Sequence, residues 1–284
     1  MRRWPALLML AATGCGGGGA GTPAPAPVAR PMHVMSVNQC TDQLVLALLP
    51  PERIASVSFL ARDPGGSLMV AQAHAVATNR GRAEEVLAQR PDLVVAGSFG
   101  TPALREMLRD LDYPLIEIDQ PASLDDIRRV TRQLAAALDE RARGEALIAD
   151  MDRQLAALAR DAGPAVPVVA WDRTGFAAAE GSLFGAILTA AGADNRVRQP
   201  AGATARPDVE TVLQAAPALL VQGSNHAEAP SLGDDALDHP AIRRRWGQRT
   251  AFVRSAYYAC GTPLIAEAAI RLRAQLRAAQ GNAR

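Results

Sequence analysis

With 284 residues and 49% hydrophobic content, the chain has material for one large domain or two of ordinary size, and disorder is not expected beyond its ends. A formal charge of +1, with no basic stripe, excludes a nucleic-acid binder, which needs concentrated cations against phosphate. All 30 basic residues are arginine, so lysine Schiff-base chemistry and the phosphate-cradling lysine of a P-loop are excluded as well.

The amino end has the layout of an export signal. Arg2 and Arg3 precede an apolar run from Pro5 to Ala12, and Thr13-Gly14 then sets small residues before Cys15. This resembles a bacterial lipobox with alanine where leucine is commoner. It implies a signal peptide over 1–14, cleavage before Cys15 and lipidation of that thiol; the alternative is an ordinary secretory signal cut further on. Residues 15–31, rich in Gly, Ala and Pro, cannot bury a core and are expected to be a flexible tether. No later apolar run approaches the roughly 18 residues of a membrane span.

The body then alternates strand and helix. His33 to Val37 is short and β-prone, Gln43 to Leu49 is helical with Thr41 or Asp42 as its cap, and Arg53 to Ser58 is the next strand. Residues 59–82 are too weakly patterned to assign. Helix is expected over Thr101 to Leu111 and strand over Leu115 to Ile118. Ser123-Leu124-Asp125-Asp126 fits a capping box opening a helix to about Leu138, and a second helix runs from about Glu140 to Arg160. Leu147, Met151, Leu155 and Leu158 share one face of the latter, which would span on the order of 30 Å, enough for a strut between two bodies. After Gly163-Pro164 the alternation resumes: strand Val166 to Trp171, helix Leu183 to Ala191, strand Thr250 to Val253 and a closing helix from about Pro263 to Ala279. The fold class is therefore α/β with parallel sheets.

One pattern occurs twice. Glu84 to Ser98 recurs 126 positions on as Glu210 to Ser224. In each, a glutamate opens a short apolar turn (Val86-Leu87, Val212-Leu213), a proline ends it (Pro91, Pro217), and an aliphatic run suited to a buried strand stops at Gly-Ser. That spacing is too long for a solenoid and implies two similar lobes.

On this architecture and duplicated motif the chain resembles the periplasmic substrate-binding proteins of the vitamin B12, haem and iron-siderophore class that serve ABC importers. The resemblance covers roughly residues 32–280. It implies a first lobe over 32–138, a connecting helix over 139–162, a second lobe over 163–284 and a ligand cleft between the lobes. It further implies a binding role rather than an enzyme, with no catalytic residue, no intrinsic cofactor or metal, and a metal chelate (corrinoid, haem or ferric siderophore) as cargo. The expected partner is an ABC permease dimer with its ATPase. The expected state is a periplasmic monomer that meets the membrane only through its lipid. Glu84 and Glu210 take the position of the family's docking glutamates; the alternative is that each merely complements a helix dipole.

Ligand sites in open parallel sheets lie at the carboxyl ends of strands. There the chain supplies Asn38, Gln39, Cys40, Asn79, Arg80, Ser98, Phe99, Arg173, Phe176, Arg206, Tyr257 and Tyr258. The aromatic rings suit a planar macrocycle, with ordinary lobe packing as the alternative. The arginines suit carboxylates or phosphate. Once Cys15 is lipidated, Cys40 and Cys260 remain as a pair in an oxidising compartment. A disulfide, two free thiols and a soft-metal site are all open. Two rival functions follow from these cysteines: a periplasmic soft-metal protein, or a secreted hydrolase with Cys40 as nucleophile. The four histidines have no metal-ligand spacing.

Overall fold

A computed structural model of the chain describes residues 30–161, 163–170, 177–197, 208–224 and 239–281. In the first half, strands β1 (Val34–Ser36), β2 (Ile54–Ser58), β3 (Thr78–Asn79), β4 (Leu93–Gly97) and β5 (Leu115–Ile118) alternate with helices α1 (Gln39–Leu48), α2 (Val70–Ala73), α3 (Ala83–Gln89) and α4 (Pro102–Asp110). They form a sheet of order β3-β2-β1-β4-β5, parallel throughout. Helices α5 (Leu124–Ala137) and α6 (Arg141–Arg160) follow. The second half contains β6 (Val166–Ala170), α7 (Leu183–Ala191), β7 (Ala193–Asn195), α8 (Val209–Ala215), β8 (Leu219–Ser224), α9 (Pro240–Trp246), β9 (Thr250–Arg254), α10 (Ala256–Ala259) and α11 (Ile265–Gly281). Its sheet is also parallel, with order β7-β6-β8-β9.

The two sheets wind alike. Apart from the additional β3, each places its second strand beside its first and then adds the third and fourth on the other side, so β4 corresponds to β8. Those are the strands of the repeated motif. Helical turn, proline and aliphatic run become α3 and β4 in one lobe and α8 and β8 in the other. In both, the residue just after the helix adopts the left-handed conformation: Arg90 at φ 49° and Ala216 at φ 43°. The following proline cannot continue the helix and the chain turns into the strand.

Each sheet is buried on both faces, as parallel sheets require. Val34 and Val95 face one apolar cluster of the first lobe, Met35 and Val94 the other. Val168 and Val169 divide the two clusters of the second lobe in the same way. The α5–α6 pair belongs to both bodies. Val130, Leu134 and Leu138 pack into the first lobe's core, with Leu147 against it. Ile127, Met151 and Leu158 pack into the second, with Leu155 against it. The strut expected from one helix is thus an antiparallel pair. Its hairpin is held by Arg53, buried, which donates to Leu138 O at 2.7 Å, to Pro31 O at 2.6 Å and to Glu140 Oε1 at 2.5 Å.

The first helix corrects an expectation. It starts at Gln39, and its cap is Asn38, whose Oδ1 accepts from the Cys40 and Thr41 backbone N–H groups. Asp42 is no cap. It is fully buried and accepts from Ser58 N at 3.1 Å and Ser58 Oγ at 2.5 Å, fastening α1 to the end of β2. Burial outweighs those hydrogen bonds and raises its pKa to about 7.

Candidate functional site

Because every strand pair is parallel, the loops following the strands of one sheet emerge along a single edge. Across the first lobe, in sheet order, that edge carries Arg80 after β3, Phe59 after β2, Asn38 and Cys40 after β1, Ser98 and Phe99 after β4, and Gln120 beyond β5. On the second lobe, Tyr257, Tyr258 and Cys260 follow β9. Arg173, Phe176 and Arg206, expected to contribute there, lie outside the described residues, as does Cys15.

These two edges meet. Cys40 and Cys260 form a disulfide with a Cα–Cα distance of 4.8 Å, bridging 220 positions of sequence. Gln120 Nε2 donates to Ala259 O at 2.7 Å, and Arg254 Nη2, at the end of β9, donates to Pro64 O at 2.6 Å and Ser67 O at 3.2 Å beyond β2. Gly261 sits in the seam at φ +60°, and a Cβ there would lie 2.5 Å from Pro121 Cγ and 2.6 Å from Leu183 Cδ1. A left-handed residue without a side chain is what permits this approach. The bond also decides among the three expectations for the cysteines. With both sulfurs in one bridge, neither soft-metal binding nor nucleophilic chemistry has a thiolate to use. Among the described residues no cluster of three His, Cys, Asp or Glu could hold a metal ion.

Beside the disulfide lies a crevice of about 40 Å³ bounded by Asn38, Cys40, Ser98, Phe99, Gln120 and Cys260. It has room for a water or two, not for a chelate. The Ser98 Oγ is buried without a hydrogen-bond partner among the described residues. Asn38, besides capping α1, points Nδ2 at Phe99 O at 3.5 Å. It lies so close to β4 that a Cβ on Gly97 would fall 2.9 Å from Asn38 Cγ, which accounts for a glycine at the end of this copy of the repeat.

Several expected ligand residues are committed elsewhere. Asn79 is buried; its Nδ2 donates to Ser36 O and Ser56 Oγ, both at 2.9 Å, and its Oδ1 accepts from Gly81 N at 3.0 Å. A two-residue edge strand has few ladder bonds, and this amide supplies the rest. Gln39 lays its side chain over the 63–66 turn, filling the space a side chain on Gly66 would need. Tyr257 is buried in the second lobe with its hydroxyl on Glu267 Oε2 at 3.2 Å, and burial raises its pKa. Tyr258 stacks on Phe184, ring centroids 4.6 Å apart and planes 9° from parallel. For both tyrosines lobe packing is the role observed. Arg80 and Phe99 remain exposed on the edge, and Phe59 joins them, with the Arg80 guanidinium 5.7 Å from its ring centre. Phe59 was legible by the rule that found Phe99, since each lies within two residues of a strand's carboxyl end.

Glu84 and Glu210 are both exposed, and each is the second residue of its helix, α3 or α8. Neither supplies the cap. In α3 it is Glu85 Oε2 that accepts from Arg80 N and Arg82 N at 2.9 and 3.0 Å, and in α8 it is Asp208 Oδ1 that accepts from Thr211 N at 2.7 Å.

Solved structures of the same architecture span nearly the whole chain. The haem-binding protein RhuT of Roseiflexus sp. RS-1 superposes with a TM-score of 0.67 at 24% identity, covering 87% of this chain and 98% of its own. The haem-binding protein HutB of Vibrio cholerae gives 0.71 at 16%, covering 86% and 98%. The vitamin B12-binding protein BtuF of Vibrio cholerae gives 0.63 at 16%, covering 88% and 98%. A search of curated proteins finds no match. The profile of one family, described as periplasmic binding protein, matches residues 34–244. On that match, and on two like-wound parallel sheets joined edge to edge, the chain belongs to the periplasmic binding protein family.

Proposed function

We propose that the chain is the substrate-binding component of an ABC importer, capturing a metal chelate between its lobes and delivering it to the permease. The observation that carries this reading is the meeting of two carboxyl edges, Cys40 and Gln120 from one lobe with Cys260 and Ala259 from the other, since that is where open parallel sheets hold ligands. The cargo class is a corrinoid, haem or ferric siderophore, in keeping with similar structures that are haem- and vitamin B12-binding proteins or part of an Fe3+-hydroxamate transport system. No covalent step is required and no resident cofactor is assigned. The chelate is transported, not used.

Glu84 and Glu210 are the docking residues in this reading. Other carboxylates cap α3 and α8, so capping does not account for an acid at the second position of both. Two exposed acids at matched sites on two like lobes suit two arginines of a symmetric permease dimer. The mature protein is exported, tethered through 15–31 and lipidated on Cys15. Among the described residues no helix is long and apolar enough to cross a membrane. The test is titration with cobalamin, haem and several ferric siderophores, followed by uptake with Glu84→Ala and Glu210→Ala. Uptake should fall while the affinity for the chelate is unchanged. Normal uptake by the double variant would remove the docking assignment, and failure of every chelate to bind would remove the function.

A further inference from the structure

The edge of the first lobe holds two aromatic rings in water and a cation on one of them. Phe59 is 53% exposed and Phe99 69%, although phenylalanine is among the side chains most often buried. The sheet order fixes their arrangement. Phe59 follows β2 and Phe99 follows β4, with β1 between them, so the two exits are two strand spacings apart, roughly 10 Å. Arg80 follows β3 on the outer side of Phe59, and its guanidinium lies over that ring at 5.7 Å. Asn38 stands between the aromatic positions, its amide already engaged with the α1 cap and Phe99 O.

Arg80 completes the pattern. A guanidinium offers a flat face and an edge of five N–H donors, and stacking on a ring uses only the face. Among the described residues no carboxylate is ion-paired with Arg80, whereas Arg53, Arg105, Arg109, Arg128 and Arg132 of the same half all have one. Its donors thus meet no carboxylate among the described residues, beside the exposed rings of Phe59 and Phe99.

We propose that Phe59, Phe99 and Arg80 are the specificity-determining residues of the first lobe, selecting a chelate that presents both a flat apolar ring system and a carboxylate. The inference rests on the transport reading above and narrows its cargo. The rings cover the flat surface, and the acid meets the edge of Arg80 as a bidentate pair. Cyanocobalamin carries peripheral amides and one phosphodiester but no carboxylate, so it satisfies the rings and offers Arg80 no carboxylate for a bidentate pair. Two kinds of molecule share the required chemistry: carboxylate-bearing tetrapyrroles and ferric complexes of aryl-carboxylate siderophores.

The full mature protein is titrated, by quenching of its intrinsic fluorescence, with ferric protoporphyrin IX, its dimethyl ester, a ferric aryl-carboxylate siderophore and cyanocobalamin. Expected is preference for one of the two acidic ligands, which identifies the source. Arg80→Gln should weaken that ligand about tenfold; if it is the porphyrin, the dimethyl ester should be weakened equally in the wild type and should lose nothing further in the variant. Phe59→Ala and Phe99→Ala should each weaken acid and ester alike, by about tenfold. Arg80→Lys, which keeps the charge without the fork, should recover only part of the loss. Circular dichroism melts identify any variant that is simply unfolded, and Phe59→Leu with Phe99→Leu then substitute for the alanines. Preference for cyanocobalamin, or tight binding of an acidic chelate that Arg80→Gln and both phenylalanine variants leave unchanged, overturns this inference and leaves the transport reading standing. Failure of all four ligands and of further chelates to bind overturns both.

Discussion

The two copies of the repeat make the same elements with different local chemistry. In the first, the helix start is tied by Glu85 reaching back to the N–H groups of Arg80 and Arg82; in the second, Asp208 stands in front of its helix and accepts from Thr211. What the copies share is the exposed acid one position inside the helix, Glu84 or Glu210, and the proline that ends it. A structural task has been solved in two ways while one outward-facing group has stayed in place. That shared position is the basis on which the proposed docking role rests.

If the halves are like bodies held by the α5–α6 pair and a seam, the largest effect should come from cutting the seam. Reduction, or Cys40→Ser with Cys260→Ser, removes a bridge across 220 positions and should lower stability by up to roughly 5 kcal/mol on the chain-entropy account. Calorimetry should show the melt broadening or splitting as the lobes uncouple; a single unshifted transition would mean that the α5–α6 pair alone couples them. Next in size is Gly261→Ala, which places a methyl against Pro121 and Leu183 on a left-handed backbone and should cost about 2–4 kcal/mol in a chemical denaturation curve.

The repeat itself is probed by four alanine variants. Glu85→Ala and Asp208→Ala should each lose about 1 kcal/mol, as lost caps do, and Glu84→Ala and Glu210→Ala only a few tenths. Equal losses at all four would restore a purely structural role for the repeated pair of positions. The last effect is seen only as a change with pH, and its slope adds up to a few kcal/mol across the window. The Asp42 pKa is raised to about 7 in the fold, so its contribution is fully present below the unfolded value and is lost as pH rises through the folded one. Stability should fall between about pH 4 and 7 with a slope approaching 1.4 kcal/mol per unit, and Asp42→Asn should flatten it. Glu117 and Glu140, whose carboxyls hydrogen bonds and charges from Arg105, Arg109, Arg30 and Arg53 hold below the usual range, act with the opposite sign and at lower pH.

Much of the fold was legible because it is local. Leu115–Ile118 and Leu183–Ala191 have the ends that apolar runs and a serine cap mark out, and the repeat announced two lobes. What was hidden depends on partners distant in sequence. Asp42, near the head of an apolar helix, reads as a cap until Ser58 appears beside it. The short β3 exists through the bonds of Asn79 to Ser36 and Ser56, and β7 and α9 are too brief for a periodicity to show. At the site, position relative to strand ends brought forward the right loops without distinguishing side chains that face water from those that fill a core. Tyr257 and Tyr258 turn inward because Glu267 and Phe184, from other helices, offer partners there, whereas Phe59 and Phe99 stay exposed, the former under the Arg80 guanidinium.

The disulfide has one more consequence. On the proposed transport role, jaws riveted at one corner leave a docked transporter little movement by which to tell a full receptor from an empty one. On that role the rivet, set only where thiols are oxidised, would make competence for capture something acquired in an oxidising compartment.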